Sequence, residues 1–185
     1  MRRQFDGKVQ MTSYIKLVTM SLLAAGLFGC ASGVKRMDDS AANAALPNAK
    51  VKSVQVALTE DARKLLVDNA AFDQNALRAM IERHLDGRGL LNNQSNQTVE
   101  VSINSFRVRS GFSAVMFGFM AGSDSIQGVV AVKNAAGQYI KRAEVSASYA
   151  LGGIAGGQDS SRMGWLYEEF AKHVVAELTG EPVKK

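Results

Sequence analysis

The chain has 185 residues, of which 46% are apolar and 21% are charged, a composition typical of one soluble globular domain. Its net charge of +5 suggests affinity for nucleic acid, but residues 1–29 hold four cations and one anion, so the remainder carries only +2. No nucleic-acid partner is therefore expected. A single cysteine is too few for a disulfide framework or a thiolate metal site, so the sequence predicts neither. Because no metal-binding or nucleotide-binding motif is present, no metal and no cofactor are expected.

The lone cysteine directly follows a short apolar segment, residues 17–29, which contains no charge. A membrane-spanning helix needs roughly 20 apolar residues, so this segment is too short to span and predicts a signal peptide over residues 1–29. Leu27-Phe28-Gly29-Cys30 resembles the lipobox of bacterial lipoproteins, whose cysteine is acylated with fatty acids such as palmitate. Phe28 departs from the small or branched residue usual at its position. The resemblance implies that Cys30 is lipidated.

A lipid on Cys30 would make the membrane the first partner of this protein. Each buried methylene contributes about 0.8 kcal/mol, so two or three acyl chains bind durably where one binds marginally. Ala31 follows the cysteine, whereas lipoproteins kept at the inner membrane commonly carry Asp there, so the resemblance implies the periplasmic face of the outer membrane. Two alternatives stay open. The leader can be an ordinary secretory one with a chance cysteine, and translation can start at Met11, because Lys16 still supplies a basic start.

The segment after the cysteine shows neither helical nor strand periodicity. Residues 31–50 also include Pro47, which favours irregular structure. We therefore expect a flexible tether over residues 30–50, with a reach of about 25 Å. A globular domain is predicted for residues 51–180, followed by a short tail at 181–185.

The domain begins with one strand and two helices. Residues 51–58 alternate between apolar and polar side chains, which predicts a strand. Thr59 is a suitable N-cap for a short helix to about Leu66. Asp73 is a suitable N-cap for a second helix, for which Gly87 suits the C′ position. The apolar face of the second helix consists of Leu77, Met80, Ile81 and Leu85.

Three strands follow. In the first, Val99, Val101 and Ile103 share one face, whereas Phe106 and Val108 have the opposite parity. This switch predicts a β-bulge near Asn104-Ser105, because one extra residue exchanges the two faces of a strand. The second strand alternates Ile126, Gly128, Val130 and Val132, and the third alternates Ala143, Val145, Ala147 and Tyr149. A hairpin turn at residues 134–137 is expected to join them.

A closing amphipathic helix is predicted, capped at its start by Asp159 or Ser160 and ending at Gly180. Its apolar stripe consists of Met163, Leu166, Tyr167, Phe170, Ala171, Val174, Val175 and Leu178. Its off-stripe residues are Glu168, Glu169, Lys172 and Glu177. The strands are apolar on one face only, so helices should cover one face only. We therefore predict an α+β fold, a two-layer α/β sandwich with a mainly antiparallel four-stranded sheet and helices on one face.

Two glycine-rich stretches carry a resemblance to a known family. The motifs are SFRVRSG at 105–111, FGFMAGSD at 117–124 and YALGGIAGG at 149–157, followed by the closing helix. Over about residues 50–180 the chain resembles the bacterial envelope lipoproteins classed as domain of unknown function 4410. The resemblance implies an envelope location and a fold, but no activity.

No pattern of catalytic residues is evident. His84 and His173 lack a neighbouring nucleophile, and no hydrolase, zinc-protease or nucleotide-binding motif is present, so no catalytic residue is predicted. The G-x-x-x-G spacings of the glycine-rich stretches favour loops or close backbone packing over membrane-helix packing. A phosphate cradle at 152–157 is disfavoured because Asp159 occupies the anion's place. Arg107 and Arg109 are interpreted as solvated charges, with an anionic partner as the alternative.

Both glycine-rich stretches should leave the same end of the sheet, because alternate connections of a meander lie at the same end. Together they present apolar residues that form our candidate partner-binding site: Phe112, Met116, Phe117, Phe119, Met120 and Ile154, with Leu151 beside them. The alternative is that these side chains fold inward over the core, because large apolar side chains are costly to leave in water.

These patterns predict a lipid-anchored, non-enzymatic interaction or assembly module. Besides the membrane, its expected partner is another envelope protein. The alternative is an envelope hydrolase that acts on peptidoglycan or lipid through unidentified carboxylates.

Overall fold

A five-stranded sheet with helices packed on one face forms the domain in the computed structural model, which describes residues 32–37, 46, 49–109, 122–149 and 159–183. The strands are β1 (Gly33–Arg36), β2 (Ser53–Leu58), β3 (Thr98–Arg107), β4 (Asp124–Lys133) and β5 (Tyr139–Tyr149). The helices are α1 (Glu60–Lys64), which continues as a 3₁₀ turn over Leu65–Val67, α2 (Gln74–Asp86) and α3 (Asp159–Thr179). The described residues from Ser32 onward belong to one compact unit.

The sheet has the order β1-β5-β4-β3-β2, and three of its four pairings are antiparallel. The predicted α+β class is therefore confirmed, but the sheet is mixed, because β2 pairs with β3 in parallel. A parallel pair needs a long crossover connection, and α1 and α2 supply it.

The prediction of four strands is wrong. The fifth strand, β1, lies within the segment predicted to be a flexible tether and pairs with β5, with Gly33 opposite Ser146 and Arg36 opposite Ala143. Four residues are too few to show a period, so the alternation that identifies longer strands is missing here. Pairing to an existing edge makes β1 a strand, and the tether interpretation is wrong for these residues.

The bulge in β3 is confirmed. The register of β3 against β4 shifts between Ile103 and Ser105, and Phe106 is buried on the same face as Ile103. Gly128 lies opposite Ile103, where an added Cβ would meet the backbone oxygen of Ser102 at 2.8 Å. A residue without a side chain is therefore required at this position of β4.

The predicted starts of α1 and α2 are confirmed, and two other predictions are corrected. Helix α3 already includes Asp159 and Ser160, so neither residue is the N-cap that was predicted for it. Thr59 accepts a hydrogen bond from the N–H of Ala62, and Asp73 accepts two at the start of α2. Gly87 follows α2 but has a right-handed φ of −58°, so it is not a left-handed C′ glycine. The positive φ of 64° belongs to Gly89, two residues later. Gly180, with a φ of 71°, ends α3 as expected.

The core lies between the sheet and α2 and α3. All eight residues of the predicted α3 stripe are buried, together with Leu77, Ile81 and Leu85 of α2. Glu177 was expected on the solvent face of α3, but it is buried too. The opposite face of the sheet is covered by no helix among the described residues, in agreement with the two-layer prediction.

Candidate functional site

The glycine-rich stretches leave the domain at one end of the sheet. The first stretch begins after Arg109 and ends before Asp124, and the second begins after Tyr149. Asp124 and Tyr149 are paired in the ladder between β4 and β5, and Arg109 donates from Nη2 to the Tyr149 carbonyl at 3.4 Å. The predicted common end is therefore confirmed. The 134–137 turn lies at the other end of the same two strands.

The candidate binding residues Phe112, Met116, Phe117, Phe119, Met120 and Ile154 lie outside the described residues, as do Leu151 and Cys30. Their placement on one patch stays a prediction. The described chain ends that flank them define where the two stretches attach.

A buried ion cluster joins these chain ends. The carboxylate of Asp124 accepts from the backbone N–H of Arg109 at 2.8 Å, from its Nη2 at 3.1 Å, and from Nη1 of Arg162 at 2.9 Å. Arg162 also donates from Nη2 to the backbone carbonyl of Arg109 at 2.9 Å. Asp124 and Arg162 are 0% exposed, and Arg109 is 4% exposed. We call these three residues the arginine–aspartate cluster.

The cluster corrects one sequence interpretation. Arg109 was expected to be a solvated charge, but its guanidinium is enclosed and bound to Asp124 at two points. Arg107, by contrast, is exposed. Buried charges are tolerated when they are paired and hydrogen-bonded, and removal of one member leaves an uncompensated charge. The cluster therefore holds the start of α3 against the sheet end.

A signal for this cluster was present in the sequence. Arg162 lies four residues before Leu166 and therefore falls on the apolar stripe of α3. A cation on a buried stripe requires a buried anion. Asp124 is the first anionic residue after the uncharged residues 110–123. Its pairing with Arg162 cannot be identified without the fold.

An aromatic pair lies beside the cluster. Trp165, the only tryptophan of the chain, is 44% exposed, and its ring centroid is 5.1 Å from that of Tyr149. Burial raises the pKa of Tyr149, with an opposing effect from Arg109 and Arg162. Trp165 was not singled out from the sequence, because it falls outside the apolar stripe.

A second buried ion pair lies under the far end of α3. Nζ of Lys141 is 3.1 Å from Oε1 of Glu177, and the side chains are 6% and 3% exposed. Lys141 lies on the core face of β5, near the end of the strand. Its neighbour on that face, Ala143, is small and leaves space for the aliphatic part of the lysine side chain. Together with the arginine–aspartate cluster, this pair holds both ends of α3.

Neither histidine forms a recognisable catalytic arrangement with its described neighbours. Burial lowers the pKa of His173, whose Nε2 lies 3.4 Å from Oε1 of Glu169. Burial also lowers the pKa of His84, which lines a small cleft with Arg88 and Lys172. Within the described ranges, no group of three metal-ligating side chains converges.

The uncovered face of the sheet carries a polar cluster near the 134–137 turn. Lys133 donates to Glu100 at 2.6 Å, and its Nζ lies 4.8 Å from the ring centre of Tyr139. The guanidinium of Arg142 lies 5.3 Å from the same ring. The hydrogen bond from Lys133 to Glu100 raises the pKa of Lys133. These side chains bind one another, which is typical of a solvated sheet face.

No helix of the described residues has the length and apolar character needed to cross a membrane.

One protein family and a few distantly similar solved structures match the chain. The family described as Domain of unknown function (DUF4410) matches residues 34–153, from β1 into the second glycine-rich stretch. No curated protein sequence matches the chain.

Solved structures share the fold only distantly. A PelC dodecamer from Paraburkholderia phytofirmans has a TM-score of 0.49 at 13% identity, covering 80% of this chain and 98% of that chain. A variant of the same protein gives a TM-score of 0.48 at 13% identity with the same coverage. A minor lipoprotein from Acinetobacter baumannii has a TM-score of 0.39 at 8% identity, covering 69% and 90% of the two chains. At these values the likeness supports no argument about function.

Proposed function

The chain belongs to the family Domain of unknown function (DUF4410), and we propose that the end of the domain from which both glycine-rich stretches leave carries its function. In this proposal the protein is an envelope lipoprotein anchored through Cys30 to the periplasmic face of the outer membrane. Its α/β domain is a non-enzymatic interaction or assembly module that contacts a second component of the envelope.

The observation that carries the proposal is the arginine–aspartate cluster. It joins the described residues on either side of both stretches: Arg109 and Asp124 flank the first, and Tyr149 and Arg162 lie on either side of the second. Neither stretch contains a charged residue, and the first includes Phe112, Phe117 and Phe119. Uncharged apolar segments held at one end of a rigid sheet are suited to contact a partner, because contiguous exposed apolar surface usually marks an interaction site.

The two buried carboxylates are poor candidates for the acid or base of a hydrolase. A general acid or base must be able to exchange a proton with substrate. Asp124 is enclosed by two guanidinium groups, and Glu177 is paired with Lys141, so both carboxylates have structural partners. The alternative function, hydrolysis of peptidoglycan or lipid, needs a carboxylate other than these two.

The anchor is tested by Cys30→Ser. Since acylation requires the thiol, the variant should remain an unlipidated precursor that is no longer firmly bound to membranes. Cell fractionation and the mass of the N-terminal peptide measure both properties. Mature Cys30→Ser protein in the membrane fraction would show that the anchor is assigned wrongly.

The contact surface is tested by the double change Phe117→Ser with Phe119→Ser, compared with Tyr139→Ser. Tyr139 is an exposed aromatic residue near the opposite end of the sheet, so its change should leave binding unaltered. Loss of its ring contacts with Lys133 and Arg142 should lower stability only slightly. We expect the double variant to unfold at about the same temperature as the wild type and to lose its crosslinks in intact cells. A double variant that unfolds would show that these side chains pack inward. A stable one with unchanged crosslinks would contradict the proposed surface.

A further inference from the structure

The first described residue of the domain is bound to the glycine-rich end of the sheet. The hydroxyl of Ser32 accepts a hydrogen bond from the N–H of Ser148 at 2.8 Å and donates to the Ser148 carbonyl at 3.4 Å. Gly33 then begins β1, and its carbonyl accepts from the hydroxyl of Ser146 at 3.4 Å. The chain is therefore part of the sheet from Ser32 onward.

Ser148 lies directly beside the residues that define this end. The next residue, Tyr149, is paired with Asp124 in the ladder and contacts Trp165. Ser32, the arginine–aspartate cluster and the exposed indole therefore occupy the same end of the sheet. The 134–137 turn is separated from them by the length of β4, ten residues, or about 33 Å.

Covalent geometry limits the reach of the anchor. Only Ala31 separates Cys30 from Ser32, and two peptide units extend at most about 7 Å. The sequence alone suggested a flexible tether with a reach of about 25 Å, long enough for the domain to rotate freely. Because Ser32 is bound to Ser148, an acyl chain on Cys30 keeps this end of the sheet close to the lipid surface.

We infer that the end of the sheet formed by Ser148, Tyr149 and Trp165 faces and contacts the phospholipid bilayer, with the indole of Trp165 at the lipid interface. This inference rests on the proposed lipidation of Cys30. This contact would hold the domain against the membrane in one orientation. A protein that binds this end of the sheet would then have to be embedded in the bilayer or lie on its surface.

The chemistry of this end suits a lipid interface. Tryptophan is enriched at the boundary between headgroups and acyl chains, where an apolar ring with a polar N–H is partly desolvated. Arg109, Asp124 and Arg162, the charges closest to Tyr149, are buried in mutual contacts. Arg107, at the end of β3, is exposed beside Gly122, where a cation suits anionic headgroups. The two glycine-rich stretches at this end, residues 110–123 and 150–158, contain no charged residue.

The only tryptophan of the chain provides the experiment. Lipidated full-length protein is purified from membranes and reconstituted into phosphatidylethanolamine–phosphatidylglycerol vesicles, with or without bromine on the acyl chains. Bromine quenches an indole only at short range. We expect Trp165 emission to shift to shorter wavelength on reconstitution and to lose intensity in the brominated vesicles.

The matched control moves the indole to the other end of the sheet. In Trp165→Phe with Ala136→Trp, the fluorophore occupies the exposed 134–137 turn, and brominated lipid should leave its emission unchanged. Quenching of the indole at position 136 but not of Trp165 would reverse the orientation, and absence of quenching in both would place the domain away from the lipid. Either result overturns the inference.

Separate measurements distinguish a lack of lipid on Cys30 from a wrong orientation of the domain on the membrane. If the mass of the N-terminal peptide shows no lipid on Cys30, the proposed function fails together with the inference. If Cys30 is lipidated and the protein floats with the vesicles, but Trp165 remains unquenched, only the inference fails. A second variant carries a photocrosslinking residue in place of Trp165. If Trp165 is unquenched in the vesicles and this variant captures an envelope protein in cells, this end of the sheet contacts protein instead, and the inference is overturned.

Discussion

Arg162 of α3 donates a hydrogen bond to Asp124 of β4 at 2.9 Å, with both side chains fully buried at the end of the sheet. This contact joins the first turn of the closing helix to the strand that follows the first glycine-rich stretch. The helix therefore does more than cover the core, because its start sets the position from which both stretches leave the domain.

Removal of the negative charge at the centre of the cluster should be strongly destabilising. Asp124→Asn leaves the buried guanidinium groups of Arg109 and Arg162 without their carboxylate, and loss of one member of a buried ion group costs about 3–5 kcal/mol. Urea unfolding followed by circular dichroism measures the effect. The control is Asp61→Asn, which breaks the exposed pair with Lys64 and should cost less than about 1 kcal/mol. Similar midpoints for the two variants would contradict the role of the cluster.

The pair at the other end of α3 should behave non-additively. Lys141→Met leaves Glu177 buried without this cation, which should cost about 3–5 kcal/mol. The double variant Lys141→Met with Glu177→Leu replaces the pair by apolar side chains and should recover to within about 1 kcal/mol of the wild type or exceed it. A double-mutant cycle on unfolding free energies tests this. Additive losses in the double variant would show that the two residues are not coupled.

Phe170 lies in the middle of the α3 stripe and is completely buried. Phe170→Ala should lower the free energy of unfolding by about 3–5 kcal/mol, because the cavity it leaves cannot be refilled by its neighbours. Glu169→Ala, one residue away on the half-buried side of α3, should change it little. Thermal unfolding of the two variants compares them directly. Equal small effects would show that α3 is not packed on the sheet as described.

The protein should become less stable as the pH decreases below 6.5, because His173 is buried. Burial lowers the pKa of His173 below 6.5, against an opposing effect of Glu169, so the unfolded chain binds a proton more readily than the folded one. Stability is therefore full above pH 6.5 and is lost as the pH falls through 6.5 toward the folded-state pKa. We expect His173→Gln to lose less unfolding free energy than the wild type between about pH 7.5 and about pH 5.5. An equal loss in both proteins would assign the pH dependence to other groups, including His84, whose pKa burial also lowers.

The long periodic elements were determined by the sequence alone. The α3 stripe, the caps at Thr59 and Asp73 and the bulge near Ser105 all follow from interactions between residues close in the chain, so spacing is enough to predict them. The same holds for the common end of the two glycine-rich stretches, because alternation of strands sets where connections lie.

The tertiary structure decided what depends on contacts between distant residues. Strand β1 exists because Ser32 and Gly33 meet β5 more than 100 positions later, and four residues cannot show a period. Arg109 and Glu177 were assigned to the surface because a charge normally prefers water. Each is buried because a distant partner of opposite charge meets it there, Asp124 for Arg109 and Lys141 for Glu177, and no local pattern records such a pairing.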